Sequence, residues 1–199
     1  MKSYLWKLVC LLFLAMGVGF IFPAKKVKDF RLKNIDGKYI SLRDYPEAKG
    51  FMVVFTCNHC PFANLYPPRM NALYDKYLPL GVPLIAISST DTVIYENDTF
   101  AEMQQKAMAE GFRFPYLIDE TQAVAKEFHA QKTPHAFLIW KENEDWVIKY
   151  SGAIDDNGAH PDEVETSYLE NATDAMLQGK EIEIKETKSI GCQIYYRKK

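Results

Sequence analysis

The sequence predicts an α/β domain with a central mixed β-sheet flanked by helices, an N-terminal hairpin and a C-terminal extension. Continuous apolar runs rich in β-branched and aromatic residues occur at 50–55, 83–88 and 134–140. Such runs are typical of strands buried on both faces. Segments with helical spacing of apolar residues lie between these runs, and the resulting order of strands and helices predicts a mixed sheet covered by helices.

The N-terminal part of the domain is expected to form a hairpin, a strand and a divided helix. Residues 30–32 and 39–42 flank a turn segment that contains Asn, Asp and Gly. After the strand at 50–55, Pro61 is expected to begin a helix, because its fixed φ and missing N–H suit the first helical position. Two further prolines, Pro67 and Pro68, are expected to kink or split that helix.

The next helices are predicted from capping residues. Thr99 and Glu102 have the spacing of a capping box, and the helix that they begin is expected to stop at Gly111. Asp119 and Gln122 are candidates to cap a following helix. These two helices are expected to pack on the sheet.

The C-terminal part is expected to complete the sheet and extend beyond it. Residues 146–150 alternate between apolar and polar side chains as an edge strand does, and a helix is expected over 164–176. The tail from residue 181 alternates weakly and is predicted as the C-terminal extension.

Composition restricts the class of protein. The chain has 199 residues, of which 48% are hydrophobic, so one domain with a full core is expected. Its net charge is −2 and its basic residues are scattered, which argues against nucleic-acid binding. Four cysteines, with only one CxxC pair among them, are too few for a disulfide framework or a paired four-cysteine zinc site.

Residues 1–24 are interpreted as a signal peptide or signal-anchor, and residues 25–199 as the folded domain. Lysines precede and follow an apolar run at residues 8–22. The location predicted from this pattern is extracytoplasmic, either periplasmic or secreted, with a membrane tether through residues 8–22 if the segment is not cleaved. Cys10 then lies in the leader. A buried N-terminal helix of a cytosolic domain is the alternative.

The segment Cys57–Asn58–His59–Cys60–Pro61 is the main candidate site. It follows a buried strand and precedes a predicted helix, a context that favours a redox role. Free N–H groups and the positive end of a helix dipole stabilise a thiolate, which is the reactive form. Cys57 is therefore expected to be the exposed attacking thiol with a depressed pKa, Cys60 the buried resolving thiol, and His59 a further stabilising group.

Two other interpretations of the cysteine pair remain open. One is an inert disulfide, although so short a loop constrains the unfolded chain little. The other is a copper or zinc site formed by Cys57, Cys60 and His135, since soft thiolates and imidazole suit these metals.

Three segments together resemble the peroxiredoxin-like branch of the thioredoxin superfamily, which includes redoxins and alkyl hydroperoxide reductase/thiol-specific antioxidant proteins. They are residues 55–62 around the cysteine pair, residues 132–137 with a Thr-Pro before a strand, and the closing Gly-Cys at 191–194. The likeness spans about residues 27–196 and implies a thioredoxin-like fold. It also implies that Pro134 is a cis-proline facing the cysteines and that Thr133 offers backbone groups to a bound substrate chain.

The sequence departs from the peroxiredoxin signature Pro-x-x-x-Thr/Ser-x-x-Cys. Counting back from Cys60 places Val53 at the proline position and Cys57 at the hydroxyl position. The strand before Cys57 also lacks the acidic residue that many thioredoxins use in proton transfer. Cys192 is either a resolving thiol or a small apolar residue of the extension.

The predicted function is that of a thiol–disulfide oxidoreductase in redox or antioxidant homeostasis, which uses a Cys57–Cys60 disulfide and no other cofactor. Its expected partners are protein or small-molecule thiols and disulfides, together with a redox partner protein. The alternatives are a thiol peroxidase with Cys60 as the peroxidatic residue and a non-enzymatic copper- or zinc-handling protein.

Overall fold

The structure, a computed structural model, describes residues 25–197. In this described part of the chain, eight strands form one mixed sheet in the order β1–β9–β8–β4–β5–β6–β2–β3, and β7 and β10 form a separate antiparallel pair. The strands are β1 (Lys26–Val27), β2 (Arg31–Asn34), β3 (Tyr39–Ser41), β4 (Gly50–Thr56), β5 (Leu84–Ser88), β6 (Tyr116–Ile118), β7 (Lys132–Thr133), β8 (His135–Glu142), β9 (Asp145–Gly152) and β10 (Cys192–Gln193).

Within residues 25–197, four α-helices cover the sheet on both faces: α1 (Pro67–Tyr77), α2 (Phe100–Ala109), α3 (Ala123–Phe128) and α4 (Tyr168–Leu177). Buried side chains of α1, α2 and α4 share one apolar cluster, whereas those of α3 share a second cluster with Ile194 of the C-terminal tail. The predicted arrangement of helices about a mixed sheet is confirmed.

Strand β4 lies at the centre and leads into the cysteine pair. It runs parallel to β5 and antiparallel to β8. Its alternate residues enter opposite cores, with Met52 and Val54 on one face and Phe51, Val53 and Phe55 on the other. Covering on both faces explains why this strand is an unbroken apolar run.

The helix predicted from Pro61 begins later than expected. Residues 61–62 form a turn, a 3₁₀ turn spans Ala63–Leu65, and α1 starts at Pro67. The amide of Tyr66 donates to the carbonyl of Ala63 at 3.2 Å, but Pro67 has no N–H to continue the pattern. The predicted split at the double proline is confirmed, and Pro67 takes the first helical position.

Two other local predictions change in the tertiary structure. Strand β9 is not at the edge, because β1 pairs outside it with Val27 opposite Trp146. The helix α3 is capped by Asp119, whose carboxylate accepts from the amides of Ala123 and Ala125 at 3.1 and 3.0 Å. Gln122 instead donates to the carbonyl of Tyr195 in the tail.

The predicted starts of two helices have different outcomes. The final helix starts at Tyr168, four positions later than predicted, whereas the cap at Thr99 is confirmed by its contact with the amide of Glu102 at 3.4 Å.

The predicted leader at residues 1–24 lies outside the described residues. Across residues 25–197, none of the helices has the length and apolar character required to cross a membrane.

Candidate active site

The two cysteines of the CxxC motif lie at the carboxyl end of β4. Cys57 follows the last residue of the strand, and Cys60 lies one turn further on. Both are free thiols with no solvent-exposed surface, and they pack against Ala63 with Cys192 beside them. The expectation that Cys57 is exposed is therefore wrong for this structure.

The loop that leads into β8, the strand paired with β4, lies against the cysteine pair. The Thr133–Pro134 peptide bond is cis, as the family resemblance implies. The Oγ1 of Thr133 lies 3.0 Å from the Sγ of Cys57, and the carbonyl oxygen of Thr133 lies 3.1 Å from the Sγ of Cys60. One residue therefore contacts both sulfurs.

Hydrogen-bond donors converge on Cys60 and lower its pKa. The donors are the thiol of Cys57, the thiol of Cys192, and the backbone amides of Ala63 and Cys192. They outweigh both burial and the nearby carbonyl of Thr133, which favour the neutral thiol, and they lower the pKa of Cys60 to about 4. These donors favour the thiolate on Cys60 rather than on Cys57.

Cys57 carries the proton of the reduced pair. Its hydrogen bond to Cys60 raises the pKa of Cys57 well above the ordinary range, and burial and the negative charge of Asp98 add to this effect. The hydroxyl of Thr133 opposes the shift without reversing it. The predicted depressed pKa of Cys57 is therefore wrong, because a sequence cannot show which sulfur receives the donors.

A buried carboxylate lies next to Cys57 and was not predicted from the sequence. Asp98 has no exposed side-chain surface and lies 40 positions beyond Asn58, in the turn before α2. Its carboxylate accepts from the backbone amides of Asn58 and His59 and contacts Nδ1 of the His59 ring. It supplies the acidic group absent from β4. The only local feature of the sequence that could have pointed to this carboxylate is the position of Asp98 directly before the predicted helix cap Thr99.

His59 is held between this carboxylate and an aromatic ring. Its ring stacks on Tyr95 with centroids 3.8 Å apart and planes within 5° of parallel. Its Nε2 is buried and has no hydrogen-bond partner among the described residues. The expected position of His59 beside the thiols is supported, whereas Pro61 is exposed in the turn and makes no polar contact with either sulfur.

The metal ligand set predicted from the sequence does not assemble. Both ring nitrogens of His135 have other partners, the amide of Gln131 at 3.2 Å and the hydroxyl of Ser151 at 3.2 Å. Burial also lowers the pKa of His135 to about 4, with a smaller contribution from Lys25.

A different set of metal-type ligands does come together among the described residues. Ligand atoms of Cys57, His59 and Asp98 lie within 4.8 Å of one another. The carboxylate of Asp98 and the imidazole of His59 contact each other directly. In this structure they therefore form a hydrogen-bonded pair next to the Cys57 thiol.

The third cysteine reaches the pair through the C-terminal tail. Strand β10 pairs with β7, with Cys192 opposite Thr133, and the amide of Cys192 donates to the Sγ of Cys60 at 3.3 Å. The backbone edge at Thr133 is therefore occupied by the chain itself. The sequence-based expectation that Thr133 offers its backbone groups to a substrate chain is therefore not met in this structure. The tail, which lies 132 positions beyond Cys60, returns to this edge and pairs with it.

Comparisons with known proteins agree with this geometry. The family model described as AhpC/TSA family matches residues 23–155. The chain belongs to the AhpC/TSA family. The thiol-disulfide oxidoreductase ResA of Bacillus anthracis is 30% identical over 152 residues, which are 70% of this chain and 83% of that protein.

Solved structures resemble this chain in fold. An uncharacterized conserved protein from Geobacillus kaustophilus is 34% identical with a TM-score of 0.80, covering 88% of this chain and 93% of that one. The pneumococcal exposed lipoprotein thioredoxin of Streptococcus pneumoniae has a TM-score of 0.57 over 74% of this chain and 99% of its own, at 14% identity, and supports the fold alone. The predicted thioredoxin-like fold and oxidoreductase class are confirmed.

Proposed function

We propose that this AhpC/TSA family member exchanges disulfides through Cys57 and Cys60, with Cys60 as the attacking thiolate. The observation that carries the proposal is the convergence of four donors on the sulfur of Cys60 while Cys57 keeps its proton. A thiolate held in this way is reactive at neutral pH, and the second thiol is already within hydrogen-bond reach of it.

The reaction balances without another cofactor. The Cys60 thiolate attacks one sulfur of a substrate disulfide, and the other substrate sulfur leaves as a thiolate and takes up a proton. Cys57 then loses its proton and attacks Cys60, which forms the Cys57–Cys60 disulfide and releases the second substrate thiol. The His59–Asp98 pair has ligand atoms within 4.8 Å of the Cys57 sulfur and is proposed to accept that proton.

The proposal is tested by offering the purified protein glutathione disulfide or hydrogen peroxide, with a dithiol as reductant. We expect turnover with the disulfide and little with peroxide, because Val53 and Cys57 replace the proline and hydroxyl of the peroxidatic signature. Efficient peroxide turnover, together with slow disulfide exchange, would instead assign a thiol peroxidase with Cys60 oxidised first.

The proposed partners are protein or small-molecule thiols and disulfides together with a redox protein, and the proposed place of action is outside the cytoplasm. The lysine-flanked apolar run at residues 8–22 supports export, and an oxidising compartment allows the pair to cycle. We expect fractionation of cells that express the chain to place it with membrane or extracytoplasmic material. Recovery with the cytosol would contradict this location.

A further inference from the structure

The C-terminal tail lies on the backbone edge next to the cysteine pair, where an extended peptide substrate is able to add a strand. Gly191 approaches this edge so closely that a Cβ at its position would lie 2.0 Å from the carbonyl oxygen of Thr133. Its φ of +153° is also a conformation that other residues rarely adopt. A glycine is therefore required for the tail to reach the Thr133–Pro134 loop.

Further contacts hold the tail in place on both sides of Cys192. The amide of Ile194 donates to the carbonyl of Gln131 at 2.9 Å, and the side chain of Ile194 is buried in the core under α3. Gln122 donates to the carbonyl of Tyr195 and accepts from the amide of Arg197. The tail is thus docked as a strand whose thiol lies against the sulfur of Cys60.

Together, these contacts hold Cys192 against the sulfur of Cys60, the position that the thiol of a substrate needs for exchange. Its amide and its thiol both reach Cys60, and it packs against the buried pair. We propose that Cys192 is a third redox-active cysteine, a resident thiol that exchanges with the Cys57–Cys60 disulfide to form Cys60–Cys192. This inference rests on the proposed function of the pair.

The exchange needs no outside oxidant once the pair is oxidised. The Cys192 thiolate attacks the Sγ of Cys60, the Cys57–Cys60 bond breaks, and Cys57 leaves and takes up a proton. Cys192 is oxidised and Cys57 is reduced, so the total number of thiols is unchanged. The result is a free Cys57 thiol while the oxidising equivalent stays within the protein.

The groups around Cys192 oppose its thiolate less strongly once the pair is oxidised. The pKa of Cys192 is raised to about 11 with burial as the largest cause, and the neighbouring Cys60 adds two contributions, its hydrogen bond and its charge. Those two contributions disappear when Cys60 is in a disulfide. The cation of Lys132, which donates to the carbonyl of Gly191 at 3.3 Å, then favours the Cys192 thiolate against the remaining effects of burial and of the Asp98 charge.

The test compares cysteine variants of the 199-residue chain after treatment with glutathione disulfide. In Cys57→Ser, we expect Cys60 to take up glutathione and Cys192 to displace it, which leaves a Cys60–Cys192 disulfide in peptide mass spectrometry. The matched control Cys57→Ser/Cys192→Ser should keep the glutathione adduct at a level about tenfold higher or more, since a thiol held in place acts at millimolar effective concentration. Equal adduct in both variants would overturn the proposal.

Two further arms keep the result interpretable. Adding Gly191→Ala to Cys57→Ser should displace the tail and restore the adduct, and an unchanged Cys60–Cys192 yield would show that docking does not deliver the thiol. If Cys57→Ser does not fold, the oxidised wild-type protein is mapped instead, and finding only Cys57–Cys60 overturns the inference. Wild-type exchange with glutathione disulfide separates the two proposals, because its absence contradicts the proposed function itself.

Discussion

Cys60→Ser is expected to remove both the acidic thiolate and the disulfide exchange of this protein. Four donors lower the pKa of Cys60 to about 4, so the folded, reduced protein holds a thiolate at every pH above that value. Acidification through about pH 4 protonates it, and the ultraviolet thiolate absorbance is lost there. A hydroxyl at position 60 neither ionises in this range nor forms a disulfide. We expect exchange with glutathione disulfide to fall at least about a hundredfold.

Cys57→Ser is the matched control for this prediction. Serine keeps a hydroxyl that donates to Cys60 in place of the Cys57 thiol, so the acidic transition should persist. The Cys57–Cys60 disulfide cannot form in this variant, but attack by Cys60 on glutathione disulfide remains. An acidic transition that survives in Cys60→Ser and vanishes in Cys57→Ser would assign the thiolate to Cys57 and contradict the proposed roles.

Asp98→Ala is expected to destabilise the fold by about 3 kcal/mol, because it leaves buried donors without an acceptor. The carboxylate is fully buried and accepts from the amides of Asn58 and His59 and contacts the His59 ring. It therefore anchors the loop between the two cysteines to the turn before α2. Urea unfolding followed by circular dichroism measures the loss.

Glu96→Ala tests whether this effect belongs to the buried contacts or to charge alone. Glu96 lies in the same 3₁₀ turn, is exposed, and makes no side-chain hydrogen bond in the described part of the chain. Its replacement should change the free energy of unfolding by about 0.5 kcal/mol or less. A similar loss in both variants would contradict the role assigned to Asp98.

The central strands could be predicted because their burial on both faces requires apolar residues at consecutive positions. Strand β4 is apolar at every position between Gly50 and Phe55 since both of its faces are covered, and β5 shows the same pattern. The cysteine motif and the proline at position 134 could be read for a similar reason, as each is a short local pattern. These patterns together were sufficient to indicate the thioredoxin-like fold.

The start of the helix after the motif was harder to predict. Pro61 and Pro67 both satisfy the rule for a first helical residue, and the local sequence does not decide between them. The 3₁₀ turn at Ala63–Leu65 separates them in the structure. The dipole argument for the predicted Cys57 thiolate lost its basis for this reason, because α1 begins ten positions after Cys57.

The sequence by itself determined the fold class and the CxxC motif, since both depend on short local patterns, and the family resemblance implied the Thr133–Pro134 loop that faces the cysteines. Only the tertiary structure brought the donors to Cys60, placed the Asp98 carboxylate next to Cys57, and laid the tail on the edge at Thr133. These features join segments 40 to 132 positions apart. Hydrogen bonds between such distant segments leave no periodic or local pattern in a sequence, so they become visible only when the sheet brings the segments together.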